Sequence, residues 1–391
     1  MYSKVYFMNM QAGFGENSFA KLERMIKKLH IEDIIKPGEM TAIKLHFGEQ
    51  GTFAYIHPVW VREVVQAIKK RGAKPFLTDT TSLYAGGRSY AASHIETALS
   101  HGFAYPCVNA PIIISDGLKG QDGIKVSIDK KHFKDVSVAS GIHHADSMVV
   151  LTHFKGHALS GFGGALKNIG MGCADKAGKY KMHLGAIPMI KPELCKKCRL
   201  CVSSCPGKAI SLTEEMPQID SEHCLGCGQC FSFCKAGVFK INWDATPPDT
   251  IIEKMVEFAY GALLNKRGST SGSGRVFFIN FLLNITPGCD CLPFSDACIV
   301  PDIGIALSLD PVALDQASVD LVNQHGNASF QLAGLSSAID QASVDTVNQQ
   351  QNDKFSSLYP QINWQRQLEY AQEIGLGSRE YELIRMEKDC R

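Results

Sequence analysis

The sequence predicts an α/β fold: a mostly parallel sheet with helices on both faces, interrupted by one inserted cysteine-rich unit. Three observations predict it. Strand-like and helix-like segments alternate through residues 1–150, the order that builds parallel sheets. The alternation resumes after residue 244. Between the two stretches, residues 195–234 carry one cysteine spacing twice. The division that follows is one α/β domain in two parts, 1–190 and 244–391, with 191–243 inserted.

Lys4–Met10 reads as the first strand. Asn17 is placed to cap a helix through Leu29, in which Phe19, Leu22, Met25, Ile26 and Leu29 recur at helical spacing. Met40–Phe47 is the second strand, followed by a helix over Pro58–Lys70 that Gly72 ends. Lys74–Asp79 is the third strand, and Tyr90–Ser100 a helix stopped at Gly102. Ile112–Ser115 and Ile124–Ile128 are shorter strands around turns at Asp116-Gly117 and Asp122-Gly123. Ser147–Thr152 is a strongly apolar strand.

In the insert, Cys195, Cys198, Cys201 and Cys205 are spaced C-x2-C-x2-C-x3-C and followed by Pro206. Cys224, Cys227, Cys230 and Cys234 repeat the spacing, with Lys235 after them. This is the run of two-cluster bacterial ferredoxins, in which three thiolates hold one 4Fe–4S cube and the fourth reaches the other. The expected ligand sets are therefore crossed: Cys195, Cys198, Cys201 and Cys234 for one cluster, and Cys224, Cys227, Cys230 and Cys205 for the second. Zinc sites take four ligands, usually as two pairs with a longer gap, which this pattern does not match.

After the insert, Ile251–Leu264 is a helix and Arg275–Leu283 a strand. The Gly/Ser-rich stretch 265–274 between them is a surface loop by composition. Asp302–Leu307 is the next strand, and Asp310 with Pro311 opens a helix to Asn323. The stretch 313–324 returns almost unchanged at 338–349, a single repeat that implies no solenoid.

Composition limits the function. The chain has 391 residues, 45% hydrophobic and 20% charged, with a net charge of +1, which excludes a general nucleic-acid binder. It starts on a strand-like run rather than a charged and then apolar leader, and no apolar run reaches membrane-spanning length. No nucleic-acid or membrane partner is expected. Fourteen cysteines, eight of them in the repeated pattern, imply a reducing cytoplasm, and two such clusters suggest an anaerobic or microaerobic host.

Three strands end on polar residues: Lys44-Leu-His46, Asp79-Thr-Thr81, and His153-Phe-Lys155-Gly-His157. Ligands of open parallel sheets bind outside the carboxyl ends of the strands. That edge is expected to gather His46, Asp79, His153, Lys155 and His157 as candidate catalytic groups. Gly161, Gly163 and Gly164 form a turn whose N–H groups can hold an anion, with Lys155 and Lys167 adding positive charge. The spacing is neither a phosphate loop nor a dinucleotide fingerprint. A lone histidine is more often structural than a ligand. The edge therefore leaves open a small-molecule substrate, a second unidentified cofactor, or a metal. Cys173 reads as a small core residue. Cys289-Asp-Cys291 lies between prolines; such a pair can bind a soft metal or be two buried thiols in a turn.

The segments HFKGH, SGFGGALKNIGMGC, TPGCDC and VPDIGIALSLDPVALDQASVDLVN, with the double cysteine run, resemble the domain-of-unknown-function 362 family of iron–sulfur proteins. The resemblance covers nearly the whole chain. It implies a cytoplasmic prokaryotic protein with two 4Fe–4S clusters in an α/β domain, and it supplies no reaction. The Ser/Gly stretch at 268–274 and the second DQASVD copy depart from the family pattern.

Three functions compete on this evidence. One is a redox enzyme passing electrons from the clusters to a substrate or second cofactor at the His/Lys/Gly edge. Another is a ferredoxin-like carrier or assembly partner that docks a redox protein. The third is a non-redox metal- or cofactor-dependent enzyme with structural clusters.

Overall fold

Eight of the sixteen strands form one mixed sheet in a computed structural model, which describes residues 2–84, 86–183, 188–224, 229–240, 246–266, 274–325 and 353–386. In chain order the strands are β1 Ser3–Asn9, β2 Met40–Lys44, β3 Lys74–Asp79, β4 Ile112–Ile114, β5 Gly123–Ser127, β6 Asp135–Ala139, β7 Ser147–His153, β8 Lys155–His157 and β9 Gly161–Gly163. The cysteine-rich segment adds β10 Met189–Ile190, β11 Ile210–Leu212, β12 Pro217–Ile219 and β13 Phe239–Lys240. Then come β14 Val276–Leu282, β15 Gly304–Ser308 and β16 Tyr381–Arg385. The helices are α1 Ser18–Lys28, α2 Ile31–Ile34, α3 Pro58–Lys69, α4 Ala91–Ser100, α5 Tyr105–Val108, α6 Ser140–His144, α7 Ala165–Gly172, α8 Lys176–His183, α9 Leu200–Ser204, α10 Gln229–Phe233, α11 Pro248–Leu263 and α12 Pro311–Gln324. Two more follow at Lys354–Leu358 and Gln365–Glu373.

The main sheet runs β16-β1-β15-β14-β7-β2-β3-β4. Every neighbouring pair is parallel except those of β15, which runs antiparallel to β1 and β14. Alternate side chains feed two cores. Ala42, Met148, Val150 and Phe278 pack with α7, α11 and α12 on one face. Ile43, Val149, Leu151 and Phe277 pack with α1 and α3 on the other. All seven residues of β7 are buried, the continuous apolar pattern of a strand covered on both faces. The sheet is thus mostly parallel with helices on both faces. The caps work as the sequence indicates: Asn17 accepts the Ala20 N–H at 2.9 Å, and Asp310 accepts those of Val312 and Ala313.

Two local readings change. The strand expected at 124–128 leaves the main sheet and pairs as β5 with β6, because the two Asp-Gly turns redirect the chain after β4. Lys266, expected in a surface loop, is built into the fold: it is 1% exposed and donates to the His143 carbonyl at 2.9 Å. The rest of that stretch (267–273), the second repeat copy at 338–349, and the expected end of the insert (241–243) lie outside the described residues. Among the described residues no helix is long and apolar enough to cross a membrane.

Glu253 on α11 ties three segments together. It meets Lys131 at 2.7 Å, His132 at 2.5 Å and Arg366 at 2.6 Å. Burial opposes its charge, but hydrogen bonds from Lys131, His132 and Arg366 prevail and take its pKa from 4.5 to about 2. A depressed carboxyl pKa stabilises the fold fully above the unfolded value, and that contribution is lost as pH falls through the folded one. The urea midpoint is therefore expected to drop between pH 4.5 and about 2. Glu253→Gln should be less stable at pH 7 and should flatten this acid limb; an unchanged limb would rule Glu253 out as its source.

The chain reverses direction across the sheet between β2 and β7. From β2 it steps outward to β3 and β4, and from β7 it steps the opposite way to β14. Such a switch point leaves a crevice at the carboxyl ends of the two strands.

Candidate functional site

A cavity of about 170 Å³ opens at that crevice. Its walls include His46, Asp79, His153, Lys155, His157, Gly164 and Lys167, so the three polar strand ends meet there. Asp79 is 2% exposed and pairs with Lys44 on the neighbouring strand at 3.0 Å. Burial opposes the carboxylate, but Lys44 and then His94 and Arg88 hold its pKa below the usual range. Lys44 also donates to Asn168 Oδ1 at 2.7 Å. Asp79 and Lys44 thus form a buried strut across the cavity floor.

His153 and Lys155 converge on a residue that sequence reasoning missed. Asp290 is 1% exposed and lies 2.8 Å from His153 Nδ1 and 3.0 Å from Lys155 Nζ. Burial raises its carboxyl pKa, but His153 and Lys155 more than offset this, and the net shift is down. His153 Nε2 faces the Leu283 and Asn284 carbonyls at 2.9 and 3.1 Å. Both ring nitrogens therefore face oxygen partners within the protein. Lys155 Nζ also donates to the His153 carbonyl at 2.7 Å. His153 and Lys155 brace one another here, which leaves neither of the His153 nitrogens for a substrate.

The glycines do not form the expected anion-holding turn. Gly161 and Gly163 belong to β9, which pairs antiparallel with β8. The first N–H groups of α7 are already taken: Ala165 and Leu166 donate to the Asp315 carboxylate at 2.7 and 2.9 Å. Burial raises the pKa of Asp315 to about 6. A carboxylate from α12 thus fills the helix N-terminus that an outside anion would need. The glycines are needed for space instead. A Cβ on Gly161, whose φ is +74°, would meet Trp364 at 2.4 Å, and one on Gly164 would meet Asp315 at 2.4 Å.

Two further cavity side chains, His46 and Lys179, have no ion-pair partner among the described residues. His46 Nδ1 accepts the Gly48 N–H at 3.0 Å, which leaves its Nε2–H for the cavity. Burial, and after it the charge of Arg88, holds this ring well below the usual imidazole range, so it is neutral. Arg88 itself is bound to Glu49 at 3.1 Å and to the Tyr84 hydroxyl at 2.6 Å. Lys179 bonds only to the neutral oxygens of Thr80 and Ala174, at 2.5 and 2.6 Å, and has no ion pair among the described residues.

The Cys-x-Cys turn reaches the same cavity. Cys291 lines it, and ligand atoms of His157, Cys289 and Cys291 lie within 4.8 Å of one another, a group able to hold a metal ion. Lys167 Nζ is 3.1 Å from Cys289 Sγ. The Cys291 thiol and the Lys167 and His157 side chains favour the Cys289 thiolate, whose pKa falls well below that of a free thiol, while that of Cys291 rises. Cys173 is fully buried in the main core with a pKa pushed up to about 11, as a plain core residue.

The strands of the cysteine-rich segment pair with one another. β10 pairs with β13, β11 with β12, and α9 packs on α10. Cys195, Cys198, Cys201 and Cys234 line one cavity of about 290 Å³. Lys197 and Arg199 between them have positive φ, at 54° and 61°, which curls the backbone tightly through the run. Ala209 N–H donates to Cys205 Sγ at 3.3 Å, and Val238 N–H to Cys234 Sγ at 3.4 Å. Cys205 and Cys230 pack against the core of this segment, Cys224 is half-buried, and Cys227 lies outside the described residues. Leu83 and Tyr180 pack into this unit's core, and Leu83 also lines the Lys/His cavity.

A family model described as "Domain of unknown function (DUF362)" matches residues 41–320. A comparison with curated proteins gives no match. Among solved structures, the lactate racemase apoprotein from Thermoanaerobacterium thermosaccharolyticum aligns with a TM-score of 0.39 and 11% identity over 82% of this chain. A Thermotoga maritima protein aligns with a TM-score of 0.36 and 11% identity over 69%. The chain spans 57% and 52% of the length of those two proteins.

Proposed function

We propose a function for this chain, which belongs to the DUF362 family of unknown function, from its own residues: it is a redox enzyme that acts on an anionic small molecule in the Lys/His cavity and carries two 4Fe–4S clusters in its cysteine-rich unit. The observation that carries the reading is Leu83, which is packed into the cysteine unit and also forms part of the cavity wall. The Lys/His cavity and the core of the cysteine-rich segment therefore share a side chain.

The donor set fits the clusters. Four thiols of the crossed set surround one cavity, and backbone N–H groups donate to two cysteine sulfurs, which tunes bound iron–sulfur groups. Cys195, Cys198, Cys201 and Cys234 would hold one cube, and Cys224, Cys227, Cys230 and Cys205 the other. Bound there, the clusters supply single electrons. The protein does the rest. Lys179 binds the anionic group of the substrate, since its own hydrogen bonds go to neutral oxygens and Asp116, Asp79 and Asp175 act on its charge only from beyond ion-pair distance. The neutral His46 ring presents Nε2–H to the substrate as a hydrogen-bond donor. The Lys44–Asp79 and Lys155–Asp290–His153 struts fix the walls. Exposed Lys196, Lys197 and Arg199 beside Cys198 favour an acidic redox protein in a reducing cytoplasm as the electron source.

The test is reoxidation of the reduced protein under anaerobic conditions by a panel of small carboxylates and oxyanions. A member of the panel is expected to reoxidise it, and Lys179→Met is expected to slow this at least tenfold, about the weight of one lost charge-assisted hydrogen bond, with iron content unchanged. If only protein acceptors reoxidise it, the carrier reading replaces this one.

A further inference from the structure

The electron-transfer reading makes no use of the Cys289-Asp-Cys291 turn. Yet this turn and the end of β8 bring two thiols and an imidazole within 4.8 Å of one another. A tetrahedral zinc with sulfur about 2.3 Å away spaces its ligand atoms by roughly 3.5 Å, so small side-chain shifts close the trio on an ion. The two segments are held together independently of the trio. Gly156 N–H donates to the Thr286 carbonyl at 2.8 Å, and the Tyr359 hydroxyl donates to that of Pro287 at 2.6 Å. A Cβ at Gly156 would sit 2.1 Å from the Pro287 oxygen, so only glycine allows this approach. The His157 ring is oriented from behind: the Ser160 hydroxyl gives its proton to the Phe162 carbonyl at 2.7 Å, which leaves Ser160 Oγ to accept from His157 Nδ1–H at 3.0 Å. Outer partners of this kind orient metal-bound imidazoles.

We propose that His157, Cys289 and Cys291 form a mononuclear site for a thiophilic transition-metal ion of the zinc, cobalt or nickel class, with one coordination position open to the Lys/His cavity. Two sulfurs and one imidazole select such ions over magnesium or calcium. Three protein ligands and one open position are the arrangement of catalytic rather than structural metal sites. The open position falls on the cavity side because His157 and Cys291 both line that cavity. Lys167, 3.1 Å from Cys289 Sγ, holds the sulfur in place and puts a cation beside any anion that occupies the open position. The site shares no residue with the two cysteine runs, so it stands whether or not they bind iron.

The test is titration of the full-length protein, purified anaerobically with its iron in place, with cobalt(II). The wild type is expected to bind one more equivalent than Cys289→Ser/Cys291→Ser and to show thiolate-to-cobalt charge-transfer absorption that the variant lacks. His157→Gln should weaken binding at least about tenfold. Cys298→Ser, which removes a nearby thiol outside the trio, should bind as the wild type does. Iron content, measured on every sample, reports separately on the cysteine runs. Equal cobalt binding by the wild type and the double variant, or no cobalt bound by either, overturns the site. If the double variant does not fold, the single Cys291→Ser change decides by the same comparison.

Discussion

Removing one cysteine from each run, as in Cys198→Ala/Cys234→Ala, is expected to cost about four of about eight iron atoms and leave one cube intact. The expectation comes from the walls of a single cavity. Cys195, Cys198 and Cys201 line it together with Cys234, although Cys234 lies in the second run. If the ligand sets cross in this way, Cys198 and Cys234 serve the same cube, and the double variant loses two ligands of one cluster. If each run held its own cube, the same variant would damage both. Iron analysis with the electron paramagnetic resonance of the reduced protein separates the outcomes. Loss of both signals defeats the crossed assignment, and zinc in place of iron defeats the cluster reading. A matched variant within one run, Cys198→Ala/Cys205→Ala, is expected to damage both cubes.

The second large effect is on stability. Asp290→Ala is expected to destabilise the protein by about 3–5 kcal/mol, the usual result of removing one partner from a buried ion pair. Asp290, His153 and Lys155 are each less than 5% exposed. Without the carboxylate, the Lys155 ammonium keeps the His153 carbonyl but loses its counter-charge, and His153 loses the acceptor at Nδ1. Asp290→Asn keeps an acceptor for His153 and should lose less. Urea unfolding of the two variants checks the order, and a midpoint for Asp290→Ala equal to wild type would show that the triad contributes nothing net. The same change leaves the cavity more positive, so anion binding in the surviving folded protein should tighten rather than weaken. Opposite signs for stability and anion binding distinguish a lost strut from a lost ligand.

Much of this was legible in the residues because the signals are local. Period-two and period-3.6 patterns mark β2, β3, β7, α1 and α3, and the β-α-β order then implies a parallel sheet. Polar residues at the ends of β2, β3 and β7 share an edge because parallel strands end on the same side. The cysteine spacing is itself a local code. What failed was whatever depended on partners far along the chain. Asp290 lies 137 residues from His153, and nothing near either residue signals their contact. The N-terminus of α7 looked like an anion site until Asp315, 150 residues away, was seen to fill it. β16 joins β1 at the opposite end of the chain, where the sequence carries too short a pattern to stand out. The amino-acid sequence by itself determined the α/β class, the repeated cysteine run and the edge where polar strand ends meet. Tertiary structure alone decided which of those polar groups are spent on one another, because a buried charge takes its partner from whatever the fold brings beside it. It left His46, Lys179 and the His157–Cys289–Cys291 trio facing the cavity.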